Sequence, residues 1–166
     1  MEGGNTGSPI TNQTFMFCCL TGLRHSDMLA LRWKDIQKTD DGLVIHVPSM
    51  QKTKKPVIVP LGEQALKWLP KQGDAANADK VFPNAPTLGC ANRALKHMAK
   101  NAGITKLVTF HTSRHTFATL TITAGADIFT TSKLLGHTNV HTTEIYADVV
   151  MNTKVDAVNL VSGFFG

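Results

Sequence analysis

The spacing of hydrophobic residues predicts two helices in the first part of the chain. Residues 10–20 are mostly apolar and are soon followed by Gly22, which predicts a buried helix that ends at the glycine. Residues 23–33 place their larger apolar side chains on one helical face. This spacing predicts a second, short helix, with Ser26 available as its N-cap.

The hydrophobic pattern changes to short β-branched runs in the next part of the chain. Residues 43–47 and 56–60 are runs of this kind, bounded by Asp-Gly or by proline, and each predicts a strand. Ile36 is positioned to open a third strand. The sequence therefore predicts a small antiparallel sheet, and the connection between its two main strands is basic: Lys52, Lys54 and Lys55.

Helical spacing returns after Gly62 and continues to the end of the chain. Helices are predicted over residues 63–69, 87–101, 112–124, 128–135, 140–146 and 152–160. The fold class expected is a mainly helical α+β domain with one small antiparallel sheet. We expect residues 1–9 to be a disordered leader or a cloning remnant, and residues 10–166 to form one domain.

Composition and charge narrow the class of partner. No apolar run approaches the roughly 20 residues that a membrane-spanning helix needs, so no membrane partner is expected. The net charge of +5 and the pI of about 9.2 suit a polyanionic partner. The three cysteines form no metal-binding pattern, and the adjacent pair Cys18 and Cys19 falls in an apolar stretch, which predicts core thiols in a reducing cytoplasm.

Five polar residues stand where neither a core nor a plain surface needs them. Arg24 lies at a helix junction, and His111 and Arg114 are three residues apart at the start of a predicted helix, so their side chains project from the same side. His137 follows a glycine at a helix end, and Tyr146 is the only tyrosine. Taken singly, each is more often a solvated or a packing residue than a reactive one.

The order of the motifs that contain these residues changes that estimate. Residues 21–27 read Thr-Gly-Leu-Arg-His-Ser-Asp, and residues 51–54 read Gln-Lys-Thr-Lys. Residues 111–119 read His-Thr-Ser-Arg-His-Thr-Phe-Ala-Thr, and residues 134–138 read Leu-Leu-Gly-His-Thr. Tyr146 follows nine residues after the histidine of that last run.

This series resembles the tyrosine recombinase family, also called the phage integrase family. It matches the family's first arginine box, its β-hairpin lysine, its His-x-x-Arg box, its Leu-Gly-His box and its terminal tyrosine, in that order, from about residue 15 to residue 147. The resemblance implies the family's catalytic-domain fold. It also implies a site-specific DNA recombinase or integrase that cleaves and rejoins strands through a 3′-phosphotyrosine. The residues in these boxes are most similar to those of integrases of mobile elements.

The resemblance assigns a phosphate-binding role to three of these residues. Arg24 and Arg114 would clamp the scissile phosphate, because a planar guanidinium forms bidentate bonds with phosphate oxygens. His137 would add a hydrogen bond to the same phosphate. Asp27 matches an acidic position of the first box, and a structural role in orienting the arginine or a neighbouring box is expected for it.

The remaining roles concern the nucleophile and the protons. Tyr146 would attack phosphorus, and His111 would act as a general base or proton-relay partner near the tyrosine oxygen. Lys52 would protonate the 5′-oxygen leaving group, with Lys54 and Lys55 as rivals for that role. The bond energy is kept in the phosphotyrosine ester and the positive charge comes from side chains. The resemblance therefore implies no cofactor, neither ATP nor a metal.

The resemblance also bears on partners and on domain organisation. The expected substrate is double-stranded DNA, bound by a homotetramer of the full-length protein, and accessory DNA-bending proteins are further candidate partners. Family members carry N-terminal core-binding and arm-binding domains, which residues 10–166 do not supply, so this chain alone is expected to be a monomeric catalytic domain with weak DNA binding. The apolar tail at residues 155–165 would pack on its own domain or on a neighbouring subunit.

Three other functions compete with this hypothesis. The pairs His111/His115 and His137/His141 have the i,i+4 spacing of zinc ligands, but no glutamate directly follows His111 or His137. A non-catalytic DNA-binding module would use the basic charge but would not need Tyr146 at its position. A type IB topoisomerase would share the chemistry, although the short chain and compact boxes favour an integrase.

Overall fold

A computed structural model describes residues 8–146. Within that range the helices are α1 (Pro9–Thr21), α2 (His25–Ala30), α3 (Glu63–Leu66), α4 (Leu88–Asn101), α5 (Phe110–Thr123), α6 (Ile128–Leu135) and α7 (His141–Glu144), with a 3-10 helix at Trp33–Asp35. The strands are β1 (Ile36–Thr39), β2 (Gly42–Val47) and β3 (Val57–Pro60). The mainly helical α+β fold class is confirmed. The helix predicted at residues 152–160 and the tail lie outside the described residues.

The turn between α1 and α2 sets the first motif. Gly22 ends α1 in the left-handed conformation, with φ of 70°, and its N–H donates to the Cys18 carbonyl at 2.9 Å, as the sequence predicted. The prediction that Ser26 caps the second helix is wrong. The Met28 N–H donates to the Arg24 carbonyl at 2.9 Å, so α2 begins at His25 and Arg24 is its N-cap residue.

The three strands form one antiparallel sheet in the order β1-β2-β3. Ile45 on the central strand pairs with both Ile36 and Val59, and Ile45 and Val59 are fully buried. Ile58, the neighbour of Val59 on the opposite face, is exposed. The predicted small sheet is therefore confirmed, because alternate residues turn one face to the core and leave the other to solvent.

The later helices follow the predicted pattern with small shifts at their ends. α6 has the predicted bounds, because Asp127 caps its first turn by accepting from the Thr130 N–H at 2.8 Å and Gly136 ends it. α5 begins two residues earlier than predicted. The Thr109 N–H donates to the Thr112 hydroxyl at 3.0 Å, which fixes the first turn around Phe110.

The buried apolar residues fall into two groups. The large cluster joins α1, α2, the sheet and α4, and its members are Phe17, Cys18, Leu23, Met28, Leu31, Trp33, Ile45, Val47, Met50, Val57, Val59, Leu61, Ala65, Val81, Phe82, Ala91, Leu95 and Phe110. The small cluster joins α5, α6 and the residues after α7, and its members are Phe117, Ala118, Ile122, Leu135 and Tyr146. Because α5 contributes to both clusters, side chains at its start lie at their boundary.

Two further expectations can be compared with the structure. Cys18 and Cys19 are buried free thiols, as predicted. None of the helices between residues 8 and 146 is long and apolar enough to cross a membrane.

Candidate active site

Arg114 is a buried arginine at the boundary of the two clusters. It lies on the first turns of α5 with 3% of its surface exposed. One guanidinium nitrogen, Nη1, donates to the Gly22 carbonyl at 2.7 Å, and the other, Nη2, donates to the Leu135 carbonyl. Burial and the charge of Arg24 lower the pKa of Arg114 to about 10, so it stays positive at neutral pH.

Two glycines allow these carbonyls to approach Arg114. Gly22 and Gly136 both have positive φ, at 70° and 61°, where a side chain is strained. A Cβ on Gly22 would lie 2.5 Å from the Phe117 ring, and a Cβ on Gly136 would lie 2.4 Å from the Met50 sulfur. The glycines of the first arginine box and of the Leu-Gly-His box are therefore required by packing as well as by backbone conformation.

Arg24 lies beside Arg114 and is joined to the lysine-bearing hairpin through Asp27. The Arg24 guanidinium is 3.9 Å from the Asp27 carboxylate and 3.8 Å from the Met50 sulfur. The other carboxylate oxygen of the buried Asp27 accepts from the Gln51 N–H at 2.7 Å. Asp27 thus connects the first arginine to the residue that precedes Lys52.

A cavity of about 460 Å³ opens between α2 and α5, and Arg24, His111 and Arg114 all line it. Burial lowers the pKa of His111, and electrostatic interactions with His115, Arg114, Arg24 and Lys52 lower it further. The influence of Lys52 indicates that this lysine lies on the same side of the domain as the two arginines. Among residues 8–146, Asp27 is the only carboxylate that shifts the pKa of either arginine upward.

His137 follows Gly136 at the end of α6 and faces the same charges. Its Nδ1 is paired with the Thr143 hydroxyl at 2.8 Å. Burial lowers the pKa of His137 to about 4, with further contributions from Arg114, Arg24 and His111. A neutral ring whose Nδ1 accepts from Thr143 carries its proton on Nε2, so that nitrogen is a free donor suited to an anion.

Tyr146 belongs to the small cluster and has 8% of its surface exposed. Its hydroxyl is hydrogen-bonded to Nδ1 of His115, and the two ring centroids are 5.5 Å apart. Burial raises the pKa of Tyr146, while the charge of Arg114 opposes that rise. The tyrosine is therefore protonated at neutral pH and close enough to Arg114 to be influenced by its charge.

The predicted site residues are thus brought together, but the histidine that contacts Tyr146 is His115 instead of His111. Arg24, His111, Arg114 and Tyr146 each shift the pKa of at least one other member, the pKa of His137 is lowered by three of them, and Lys52 acts on His111. Two residues that contact these side chains, His115 and Thr143, were not among the predicted site residues. His115 was treated as part of a candidate zinc pair, although its place one helical turn after His111 was a signal that it faces the same side.

The alternative zinc pairs are arranged differently from a metal site. The rings of His111 and His115 meet edge to face, with centroids 4.5 Å apart. His141 is exposed and pairs with Glu144 at 2.6 Å instead of with His137. Among residues 8–146, no group of three or more His, Cys, Asp or Glu side chains is placed to hold a metal ion.

Comparisons with known proteins agree with the motif order. The model of the phage integrase family matches residues 5–153. Tyrosine recombinase XerD of Listeria monocytogenes serotype 4b is 34% identical over 145 residues, which cover 78% of this chain and 46% of that protein.

Solved structures share the fold. The crystal structure of XerA recombinase superposes with a TM-score of 0.66 at 28% identity, covering 86% of this chain and 52% of that one. XerH recombinase, solved in a post-cleavage complex with a palindromic difH substrate, superposes with a TM-score of 0.67 at 19% identity, over 98% of this chain and 48% of that one. The chain spans about half the length of the relatives it matches.

Proposed function

Because the chain belongs to the phage integrase family, we propose that it is the catalytic domain of a site-specific tyrosine recombinase. It would cleave and rejoin double-stranded DNA through a 3′-phosphotyrosine, without a metal ion or ATP. The observation that carries this proposal is that two arginines and a histidine line one cavity, while the charge of one of them, Arg114, acts on the only tyrosine of the chain.

The geometry supports a phosphate in the cavity. Arg24 and Arg114 both line it, and their guanidiniums supply charge for the non-bridging oxygens of a phosphodiester in its transition state. His137 would donate from Nε2 to the same group, since its other nitrogen is paired with Thr143. Three donors of this kind stabilise negative charge where it develops, which is usually the largest contribution to such a reaction.

The chemical step then needs a nucleophile and two proton transfers. The Tyr146 oxygen would attack phosphorus while the 5′-oxygen leaves, and Lys52 would protonate that leaving oxygen. The influence of Lys52 on His111 supports Lys52 over Lys54 and Lys55, neither of which shifts the pKa of a site residue. His111, with its depressed pKa, would stay neutral and donate a hydrogen bond on the phosphate side of the pocket.

The substrate and the assembly follow from the same proposal. The net charge of +5 favours DNA, and a tetramer of the full-length protein on two DNA duplexes would supply four such sites. Accessory DNA-bending proteins would shape that complex, and the reaction would take place in the cytoplasm. The chain alone is proposed to be monomeric and to bind DNA weakly.

Covalent capture tests the reaction class. The protein, at high concentration and low salt to offset weak binding, is incubated in EDTA with a library of nicked duplexes of random sequence. A nick close to the cleavage point releases a short strand and traps the adduct, which a denaturing gel detects and sequencing identifies. We expect adduct from the wild type and none from Tyr146→Phe. DNA affinity should be retained, because the substitution removes only a hydroxyl.

Two outcomes would contradict the proposal. Equal adduct from Tyr146→Phe would mean that another residue is the nucleophile, and absence of adduct from the wild type with intact DNA binding would indicate a binding module. His97→Asn is the matched control, since His97 is an exposed histidine on α4. A type IB topoisomerase would instead relax supercoiled plasmid without preference for any sequence recovered from the adducts.

A further inference from the structure

The hydrogen-bond partner of the tyrosine hydroxyl is His115, although the motif order assigned the neighbouring His111 to that position. His111 and His115 occupy successive turns of α5, and their rings are in edge-to-face contact. His111 lines the cavity with Arg24 and Arg114, whereas His115 contacts Tyr146. The two histidines thus divide the site into a phosphate side and a tyrosine side.

The state of the phenol supports a hydrogen bond in which Tyr146 donates to His115. Burial raises the pKa of Tyr146, so the hydroxyl carries its proton at neutral pH and is able to donate. The His115 atom that faces it is Nδ1. When Nδ1 accepts, the neutral imidazole carries its own proton on Nε2. The lone pair of Nδ1 then points at the Tyr146 proton that the reaction must remove.

Building on the proposed recombinase function, we propose that His115 is a further catalytic residue, which accepts the Tyr146 proton during strand cleavage. As the tyrosine oxygen bonds to phosphorus, its proton passes to His115 Nδ1, the bond from phosphorus to the 5′-oxygen breaks, and Lys52 protonates that oxygen. In rejoining, the 5′-hydroxyl gives its proton back to Lys52 as its oxygen attacks phosphorus, the phosphotyrosine bond breaks, and His115 returns the proton to Tyr146. The step conserves charge and atoms and needs no additional reactant.

A measurement of the histidine tautomer tests the resting geometry without any reaction. Long-range ¹H–¹⁵N spectra of the whole chain, with His115 assigned from its loss in His115→Asn, report which ring nitrogen carries the proton. We expect Nε2–H in the wild type and a shift of the Nδ1 resonance in Tyr146→Phe, with the His97 resonances unchanged. A proton on Nδ1 in the wild type would overturn the proposal, because His115 would then donate to the tyrosine.

Single-turnover cleavage distinguishes a proton acceptor at position 115 from a residue that only holds the Tyr146 ring in place. Asn at position 115 offers an amide oxygen near the position of Nδ1 but does not take up a proton, and Phe removes the acceptor while it keeps the aromatic ring. We expect both His115→Asn and His115→Phe to form adduct about 100-fold more slowly than the wild type, with DNA affinity preserved. A rate for His115→Asn within about threefold of the wild type, or faster cleavage by either variant, would overturn the proposal.

A sulfur leaving group separates the two proton transfers. A duplex with a 5′-bridging phosphorothiolate releases a thiolate, which leaves without a proton donor. Lys52→Ala should regain most of its cleavage rate on this substrate, whereas His115→Asn should stay slow, because the tyrosine still has to lose its proton. Rescue of His115→Asn would place His115 on the leaving-group side and overturn the proposal. Failure of the proposed recombinase function would appear differently, as absence of adduct from the wild type on either substrate.

Discussion

The two hydrophobic clusters differ in size and in what they contribute to the site. Among the described residues the large cluster has 18 buried members and the small cluster has five. Arg24 follows a residue of the large cluster, Leu23, whereas Tyr146 is itself a member of the small one. Arg114 donates to the carbonyl of Gly22 on one side and to that of Leu135 on the other. The geometry of the proposed active site therefore depends on how two unequal cores are held together, and a buried arginine links them.

Removing that arginine should give the largest effect on both stability and activity. Arg114→Ala leaves two buried carbonyls without donors, each costing about 1–3 kcal/mol, so we expect a loss of about 2–6 kcal/mol in the free energy of unfolding. Arg24→Ala removes only long contacts, at 3.8 and 3.9 Å, and should cost less than half as much. Urea unfolding measures both values, and adduct formation should be lost in both variants. Equal destabilisation would show that Arg114 does not link the clusters.

The glycine that follows Leu135 should be the next most sensitive position. Gly136→Ala places a methyl group against Met50 and Val57 at a positive φ, and we expect a loss of about 2–4 kcal/mol. Gly103→Ala is the matched control, because Gly103 has a similar φ of 71° with open space around it. It should cost about 1 kcal/mol. Denaturant midpoints compare the pair, and similar losses would mean that backbone strain alone explains both.

Loss of the Thr143 hydroxyl, next to the small cluster, should lower the stability less than the two preceding substitutions. Thr143→Val keeps the shape of a buried side chain but removes the partner of His137 Nδ1, so we expect a stability loss of about 1 kcal/mol. Adduct formation should fall about tenfold, because the imidazole is no longer held in one orientation. Thr142→Val, on the exposed side of α7, is the control and should leave both quantities unchanged.

The smallest effect expected is a pH dependence that comes from the same histidine. His137 has a pKa of about 4 in the folded protein and about 6.5 when unfolded, so the unfolded chain binds more protons between those values. Stability should therefore be complete above about pH 6.5 and decrease as the pH falls towards 4. Urea midpoints at pH 7 and pH 5 should differ less in His137→Asn than in the wild type. His97→Asn should keep the wild-type difference.

Local patterns predicted the elements better than they predicted the ends of those elements. The bounds of α6 were predictable because Asp127 and Gly136 are strong start and stop residues with no competitor nearby. The Ser26 cap was wrong because Gly22 ends α1 close to α2 and directs the chain into a helical turn as soon as Arg24 is passed. A residue with cap chemistry does not start a helix where an earlier turn has already formed.

The site residues that belong to the ordered motifs could be predicted from the sequence. The contacts that these residues make with the main chain could not. The five boxes identified Arg24, Arg114, His137 and Tyr146 as neighbours, and the structure brings them together. The acceptors of Arg114 are backbone carbonyls, which have no side-chain signature in a sequence. The partner of Tyr146 was assigned to His111 instead of His115, because position along a helix does not specify which of two histidines meets an incoming segment.

The place of Tyr146 in the small cluster has an evolutionary consequence. Phenylalanine would fill the same volume beside Leu135 and Phe117, so the fold should tolerate it while the proposed nucleophile is lost. Tyrosine and phenylalanine codons differ by a single nucleotide. If the proposed function holds, one point mutation would therefore turn this domain into a folded, DNA-occupying antagonist of its own active form, and natural selection would have to act on the hydroxyl alone.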